Sequence, residues 1–323
     1  MLRVGYPATL ALELFRDFPA GIELVPVSEK LDHEVEIEVW IPDPYANRAT
    51  RAWPHLRGVK LIISMLAGTE WIPPLAGPHV TICNAQGAHN VPTAEWVIAA
   101  IMTTLKYFPL YLDVQRSGVW KRRFEAPAHY AAITGDTSPI YPPVMLEDLA
   151  GKRVLLVGYG EIGKEIERML APFRVQLTRV ARSARKQPEV HSVAELDGLI
   201  PAAEVIILIV PATDDTRGLI GAARFALMRQ GALLVNAARG PVVDTDALVE
   251  ALNAGKIRAA IDVTDPEPLP EGYPLWSCPN LLITPHVAAS SPQFAPNALR
   301  AAADELRRYI NGEPLRHVVQ RAT

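Results

Sequence analysis

The chain has 323 residues, enough for two domains on the rough scale of 100–200 residues each. Apolar residues make up 49% and charged residues 21%, which supports a sizeable buried core and excludes wholesale disorder. A net charge of −3, a sequence pI near 6.3 and the lack of long like-charge blocks argue against nucleic acid or membrane as partner and point to small molecules.

The N-terminal MLRVGYPATLALELF is broken by Pro7 and Glu13 and lacks a compact apolar stretch with a small-residue cleavage site. No run approaches the roughly 18–20 apolar residues that span a bilayer, so a cytoplasmic protein is expected. Candidate strands follow at 2–6, 22–27, 35–41, 60–65 and 79–83, enough for one small doubly wound sheet. Cys83 and Cys278 lie far apart, neither within a zinc or redox motif. Both read as apolar fillers, and no metal is expected.

From Thr93 to about 113 the apolar residues Trp96, Val97, Ala100, Ile101, Leu105 and Phe108 recur at helical spacing, with Thr93 as N-cap. This helix is taken to lead into a second domain. Residues 121–147 carry Gly135 and Pro127, Pro139, Pro142 and Pro143, with no clear period, and read as a long excursion that is functional, interfacial or mobile. Six candidate strands then follow at 152–158, 175–181, 204–210, 232–236, 258–263 and 281–284, spaced for crossover helices as in a Rossmann sheet. A last helical pattern, about 292–311, ends at Gly312 and is expected to return to the first domain. The expected division is 1–92, 93–287 and 288–323: an α/β fold of two doubly wound parallel-sheet domains, one of them a Rossmann dinucleotide-binding domain.

Strand KRVLLVG runs into Gly158, Tyr159, Gly160, Glu161, Ile162 and Gly163, then the helical KEIERMLA. A lone G-x-G-x-x-G is weak evidence. Between strand and helix each glycine acquires a separate role, in a tight turn, in the close approach of a pyrophosphate, and in the packing of helix on strand. The helix N-terminus adds N–H groups and a positive dipole end for the phosphates. In an NAD site an acid at the end of the next strand binds the adenosine ribose. Here that strand, VQLTRVA, ends at Ala181 and is followed by Arg182, Ser183 and Arg185, groups suited to a 2′-phosphate. The expected cofactor is therefore NADP, with NAD possible. The plainer alternative is a solvated basic loop.

Downstream, VPATDDTRGLIG (210–221), LLVNAARGPVVDTDAL (233–248), AAIDVTDPEPLP (259–270) and LLITPHVAAS (281–290) occur in order. The arrangement resembles the D-isomer-specific 2-hydroxyacid dehydrogenase family, in its glyoxylate/hydroxypyruvate reductase-like branch. The resemblance covers nearly all of the second domain and implies a smaller flavodoxin-like substrate domain beside the Rossmann one. It also implies a catalytic trio of Arg239, Glu267 and His286. Hydride delivered to a ketone builds negative charge on its oxygen, so a proton donor is needed there. His286 is the candidate donor, Glu267 its orienting partner, and Arg239 the grip on the substrate carboxylate. Asp262 resembles the acid near the nicotinamide carboxamide, with a strand-end cap as the alternative. Pro211, Thr216, Ala237 and Ala238 fall at cofactor-contact positions, although Pro211 and Thr216 also read as plain turn residues.

The first domain matches less tightly. SMLAGTEW (64–71) resembles the loop whose backbone amides meet the substrate carboxylate, with Glu70 in place of the usual aspartate and Ala67 and Gly68 as the candidate amides. Ala67 and Ser64 stand where phosphite-oxidising and phosphoglycerate-type members carry basic residues, which disfavours a phosphorus-containing substrate. Glu95 matches the acid of the following helix. The resemblance further implies a homodimer. Two alternatives stay open: a nicotinamide-nucleotide-sensing corepressor-like protein, and a phosphite- or formate-type dehydrogenase.

Overall fold

A computed structural model describes residues 1–141 and 146–322. The chain divides into two compact units, one from Met1–His89 with the residues from Ser290 onward, the other Asn90–Ala289.

In the first unit, β1 (Leu2–Pro7), β2 (Ile22–Val27), β3 (Val39–Trp40), β4 (Leu61–Ile63) and β5 (Thr81–Cys83) form a parallel sheet in the order β5-β4-β3-β1-β2. Numbered along the chain this is the flavodoxin-like 2-1-3-4-5 order. The final strand, Val318–Gln320, adds antiparallel to β5. The expected strand over 35–41 is split. Val35–Glu36 pairs with Leu56–Arg57 in a separate ribbon, and the chain changes partner where Ile37 N–H bonds Arg57 C=O and Glu38 N–H bonds Arg3 C=O. Helix Phe294–Ile310 buries Ala298, Leu299, Ala302 and Leu306 against β1, β3 and β4. Cys83 is an apolar filler, its thiol pushed up to about 12 chiefly by burial.

The second unit is built on β6 (Arg153–Val157), β7 (Gln176–Ala181), β8 (Glu189–Ser192), β9 (Val205–Leu208), β10 (Ala232–Asn236), β11 (Ile257–Ile261) and β12 (Leu281–Ile283). All run parallel in the order β8-β7-β6-β9-β10-β11-β12, the doubly wound Rossmann order with one strand added at the end. The inner strands are buried along nearly their whole length because helices cover both faces, which is why VLLV, VIIL and ALLV within them read as unbroken apolar runs. Strand β8 escapes sequence reading, since only Val190 of EVHS is buried. Arg185–Lys186 pairs antiparallel with it at the sheet edge.

Two helical expectations are corrected. Helix α1 (Asn90–Leu105) begins before Thr93, which lies buried in its first turn rather than capping it. Pro92 is tolerated there because first-turn N–H groups have no helical partner. The helix also stops early: Tyr107 adopts φ 51°, and α2 (Phe108–Ser117) leaves at 60° to α1. The left-handed residue turns its phenol to donate to Glu147 at 2.7 Å, and Glu147 in turn pairs with buried Arg258 at 2.6 Å. Within the expected excursion, Ala126–Thr134 is a helix, α3, with Pro127 in its first turn and Gly135 at φ 74° closing it. Pro142 and Pro143 lie outside the described residues. No single helix among the described residues is long and apolar enough to cross a membrane.

Candidate active site

The glycine turn leaves β6 at the switch point, where the strand order runs outward on one side through β7 and on the other through β9. Gly158 has φ 112°, and a Cβ there would sit 2.5 Å from the Ile209 carbonyl oxygen. At Gly163 a Cβ would come 2.3 Å from the Gly158 carbonyl oxygen, so only glycine lets helix α4 (Glu161–Leu170) approach the strand. Gly160 differs: nothing lies within 4 Å of its Cβ position. Two glycines are thus demanded by protein contacts, and the third leaves open space beside the N-terminus of a ten-residue helix. That is the cradle a dinucleotide pyrophosphate requires, and a nucleotide fits the residues present.

The basic residues after β7 are not equivalent. Arg179, within the strand, pairs with Glu167 of α4, its Nε donating at 3.0 Å. The Tyr159 phenol donates to the same carboxylate, which the bond from Arg179, against burial, holds below the usual glutamate range. Arg185 donates to the Tyr159 carbonyl at 3.2 Å and lies 5.5 Å from the centre of its ring. Arg182 and Ser183 are exposed directly after Ala181. The run is therefore the end of β7, a short connection and the first arm of an edge hairpin, with one arginine committed to structure and one braced on the glycine turn.

Each remaining element comes from a loop at a strand's carboxyl end. After β9, the Thr216 hydroxyl donates to the Pro211 carbonyl at 2.6 Å and accepts from Thr213 N–H at 2.8 Å, so it closes its own turn. After β10, buried Asn236 accepts from Ala238 N–H at 3.0 Å and donates to the Arg239 carbonyl at 3.2 Å, fixing the Ala237–Arg239 turn from both sides. Gly240 closes it: a Cβ there would lie 1.9 Å from the Thr264 carbonyl oxygen. Sequence reasoning missed Asn236 and Gly240 as positioning residues, although their places in N-A-A-R-G, a polar residue at a buried strand's end and a glycine after the key arginine, were the available signal.

Asp262, buried at the end of β11, makes the contacts of an organiser of the next loop. One carboxylate oxygen accepts from the Thr284 hydroxyl at 2.5 Å and Val287 N–H at 2.9 Å, and the other from Ala288 N–H at 2.8 Å. Its carbonyl takes the His286 N–H at 2.7 Å. These bonds hold His286 in the left-handed region at φ 55°, a costly conformation for a non-glycine residue that persists only when its surroundings fix it. The His286 Nδ1 then meets a Glu267 carboxylate oxygen at 2.5 Å. That bond, assisted by the charge of Glu267, holds the imidazole above its ordinary range, while partial burial and Arg239 push the other way. Glu267 is correspondingly held below its usual range, mainly by the same bond. With Nδ1–H given to the carboxylate, Nε2 is the nitrogen available for proton transfer.

In the first unit, Ala67 is exposed and Gly68 half-buried on the loop after β4, where buried Ser64 accepts from Leu66 N–H at 3.0 Å. Glu95 is exposed on α1.

A doubly wound sheet with a pyrophosphate-type glycine turn, an adjoining basic hairpin and a histidine–carboxylate pair three to four strands away defines a dinucleotide-binding protein equipped for proton transfer. The chain belongs to the D-isomer specific 2-hydroxyacid dehydrogenase family, whose NAD binding domain matches residues 98–288. It is 36% identical over 226 residues to glyoxylate/hydroxypyruvate reductase B of Citrobacter koseri, covering 68% of this chain and 64% of that protein. A family member from Aeromonas salmonicida superposes with a TM-score of 0.82 at 25% identity over 99% of both chains. One from Xanthobacter autotrophicus, solved with NADPH and MES, superposes with a TM-score of 0.76 at 26% identity, over 99% of this chain and 98% of that one. Matches to four curated relatives span between 43% and 64% of those proteins' lengths.

Proposed function

We propose that the protein reduces a small 2-oxo acid, of the glyoxylate or hydroxypyruvate class, with NADPH as the preferred hydride source over NADH. The observation that carries this reading is the His286–Glu267 pair, 2.5 Å apart at the carboxyl ends of the sheet strands, where ligands of open α/β sheets collect. A bound nicotinamide supplies the hydride. His286 gives the Nε2 proton to the carbonyl oxygen as negative charge builds on it, and Glu267 holds the ring and favours its protonated form. Arg239 grips the substrate carboxylate and polarises the carbonyl, and in the first unit the amides of Ala67 and Gly68 are donors suited to a carboxylate. In the oxidative direction His286 is the base.

NADPH is favoured because Ala181 places no carboxylate against a 2′-phosphate, while Arg182, Ser183 and Arg185 supply donors. The Citrobacter relative is a glyoxylate/hydroxypyruvate reductase by name and the Xanthobacter one was solved with NADPH, and both agree with this reading. Formate dehydrogenase of Solanum tuberosum matches at 26% over 310 residues, but formate offers no ketone oxygen for His286 to protonate. A cytoplasmic setting fits a reaction that consumes NADPH.

The working form is a homodimer. Phe108, Leu112, Val119, Trp120 and Phe124 are all at least 43% exposed within one stretch of the second unit, an apolar surface of the kind that a partner covers. A Trp120→Glu variant should sediment as a monomer where the wild type sediments as a dimer.

The test of the activity is absorbance at 340 nm with NADPH or NADH against glyoxylate, hydroxypyruvate, pyruvate and phenylpyruvate. Oxidation that disappears in His286→Ala supports the reductase. Tight NADPH binding without turnover on any of the four would sink it and favour a nucleotide-sensing protein.

A further inference from the structure

In the loop after β4, three successive carbonyls face one neighbouring segment. Met65 C=O accepts from His89 Nε2 at 2.9 Å, Leu66 C=O from Ala85 N–H at 3.0 Å, and Ala67 C=O from Asn84 Nδ2 at 2.8 Å. These peptides are trans, and in a planar trans peptide C=O and N–H point in opposite directions. Anchoring the carbonyls of Leu66 and Ala67 therefore turns the N–H groups of Ala67 and Gly68 to the other side, away from residues 84–89. The preceding N–H, of Leu66, is taken by the Ser64 hydroxyl.

His89 is unusual in a second respect. A carbonyl can only accept, so Nε2 carries the proton, and burial holds the ring below its ordinary range and hence neutral. Its Nδ1 is buried without a hydrogen-bond partner among the described residues. The ring stacks on Phe294 with centres 4.5 Å apart and planes 9° from parallel. A phenyl ring would fill that space and keep the stack without stranding a polar atom. Packing alone therefore does not account for a histidine here, whereas its bond to Met65 does.

We infer that Asn84 and His89 are positioning residues for substrate: Asn84 fixes the Ala67 carbonyl and so aims the Gly68 amide at the substrate's carboxylate, while His89 fixes the Met65 carbonyl and with it the peptide next to the one that carries the Ala67 amide. The inference rests on the reductase reading of those amides, and it makes residues 84–89 the template for carboxylate affinity.

The experiment compares His89→Phe, which keeps the stack and removes the donor, with His89→Gln, which restores a donor at the ε position, and with the isosteric Asn84→Asp. Loss of one such bond should raise KM for glyoxylate about tenfold, with kcat within about twofold and KM for NADPH unchanged. In His89→Phe the relief of the stranded Nδ1 and the loss of the donor to the buried Met65 carbonyl act on the melting temperature in opposite directions and leave it little changed, and His89→Gln should recover most of the KM. Amide hydrogen exchange across residues 64–70 should quicken in His89→Phe and Asn84→Asp but not in His89→Gln. Unchanged KM and unchanged exchange in both donor-deleting variants overturn the inference, as does an equal rise in KM for NADPH. If the wild type reduces no 2-oxo acid, the reductase reading falls, and the exchange measurement alone decides whether the template exists.

Discussion

Replacing Glu267 by glutamine keeps an oxygen able to accept the His286 Nδ1–H but removes the charge beside it. The bond is short, at 2.5 Å, yet the two side chains are 49% and 40% exposed. Solvent screening therefore limits the charge's worth to roughly 1–1.5 kcal/mol rather than the value of a buried pair. A change of about 1.4 kcal/mol moves a titration by about one pH. Because the folded-state imidazole is held above its ordinary value, the proton donor persists to higher pH in the wild type than in Glu267→Gln. The kcat/KM profile for 2-oxo acid reduction should keep its plateau on the acid side, and the pH at which it falls by half should drop by roughly one in the variant. Oxidation of the corresponding hydroxy acid needs the neutral ring, so its rising limb should move in the same direction. Superimposable profiles for the two proteins would refute the argument that Glu267 tunes His286.

Three further outcomes are expected. Arg182→Ala should lower the ratio of NADPH to NADH affinity about tenfold, read by fluorescence titration, since one charge-assisted bond to a phosphate is worth about 1.5–3 kcal/mol. An unchanged ratio removes Arg182 from cofactor selection. Gly240→Ala places a methyl 1.9 Å from the Thr264 carbonyl oxygen and should cost about 1–3 kcal/mol by overpacking, lowering both the melting temperature and kcat/KM because Arg239 must move with its turn. Asp262→Asn leaves one oxygen where two accept three bonds. It should lower kcat about tenfold to a hundredfold with little change in KM for NADPH, whereas a selective rise in the latter would favour direct contact with the nicotinamide.

The doubly wound architecture was legible because its inner strands are buried on both faces and so spell continuous apolar runs. Where burial is one-sided or minimal the signal vanishes, as in EVHS with only Val190 inside. Proline misled in two places, at Pro92 and Pro127, since a residue that breaks a helix interior is harmless in a first turn. The break at Tyr107 was invisible for another reason: it serves a contact with Glu147, 40 residues away. The site shows the same division. Arg239, Glu267 and His286 announce themselves by residue type and motif. Asn236, Gly240 and His89 act through contacts with carbonyls and amides whose positions only the folded chain defines.

The stretch RVARSARK shows the same division at the scale of eight residues. Four basic side chains in so short a run suggest a uniform phosphate patch, yet a strand sends alternate side chains to opposite faces, and the helix after the glycine turn supplies a carboxylate for one of them. Arg179 is neutralised by Glu167, which also receives the Tyr159 phenol. Its charge therefore contributes little beyond that cluster, but the cluster fixes Tyr159, and Tyr159 supports Arg185 through its carbonyl and its ring. One arginine thus helps to hold the surface on which another is presented, which lowers the entropy Arg185 would lose on meeting a phosphate. The exposed Arg182 and Ser183 lack that bracing. On the proposed NADPH reading, selectivity for a 2′-phosphate on this hairpin should therefore respond to Tyr159 and Glu167, neither of which is basic, as well as to the number of positive charges in the run.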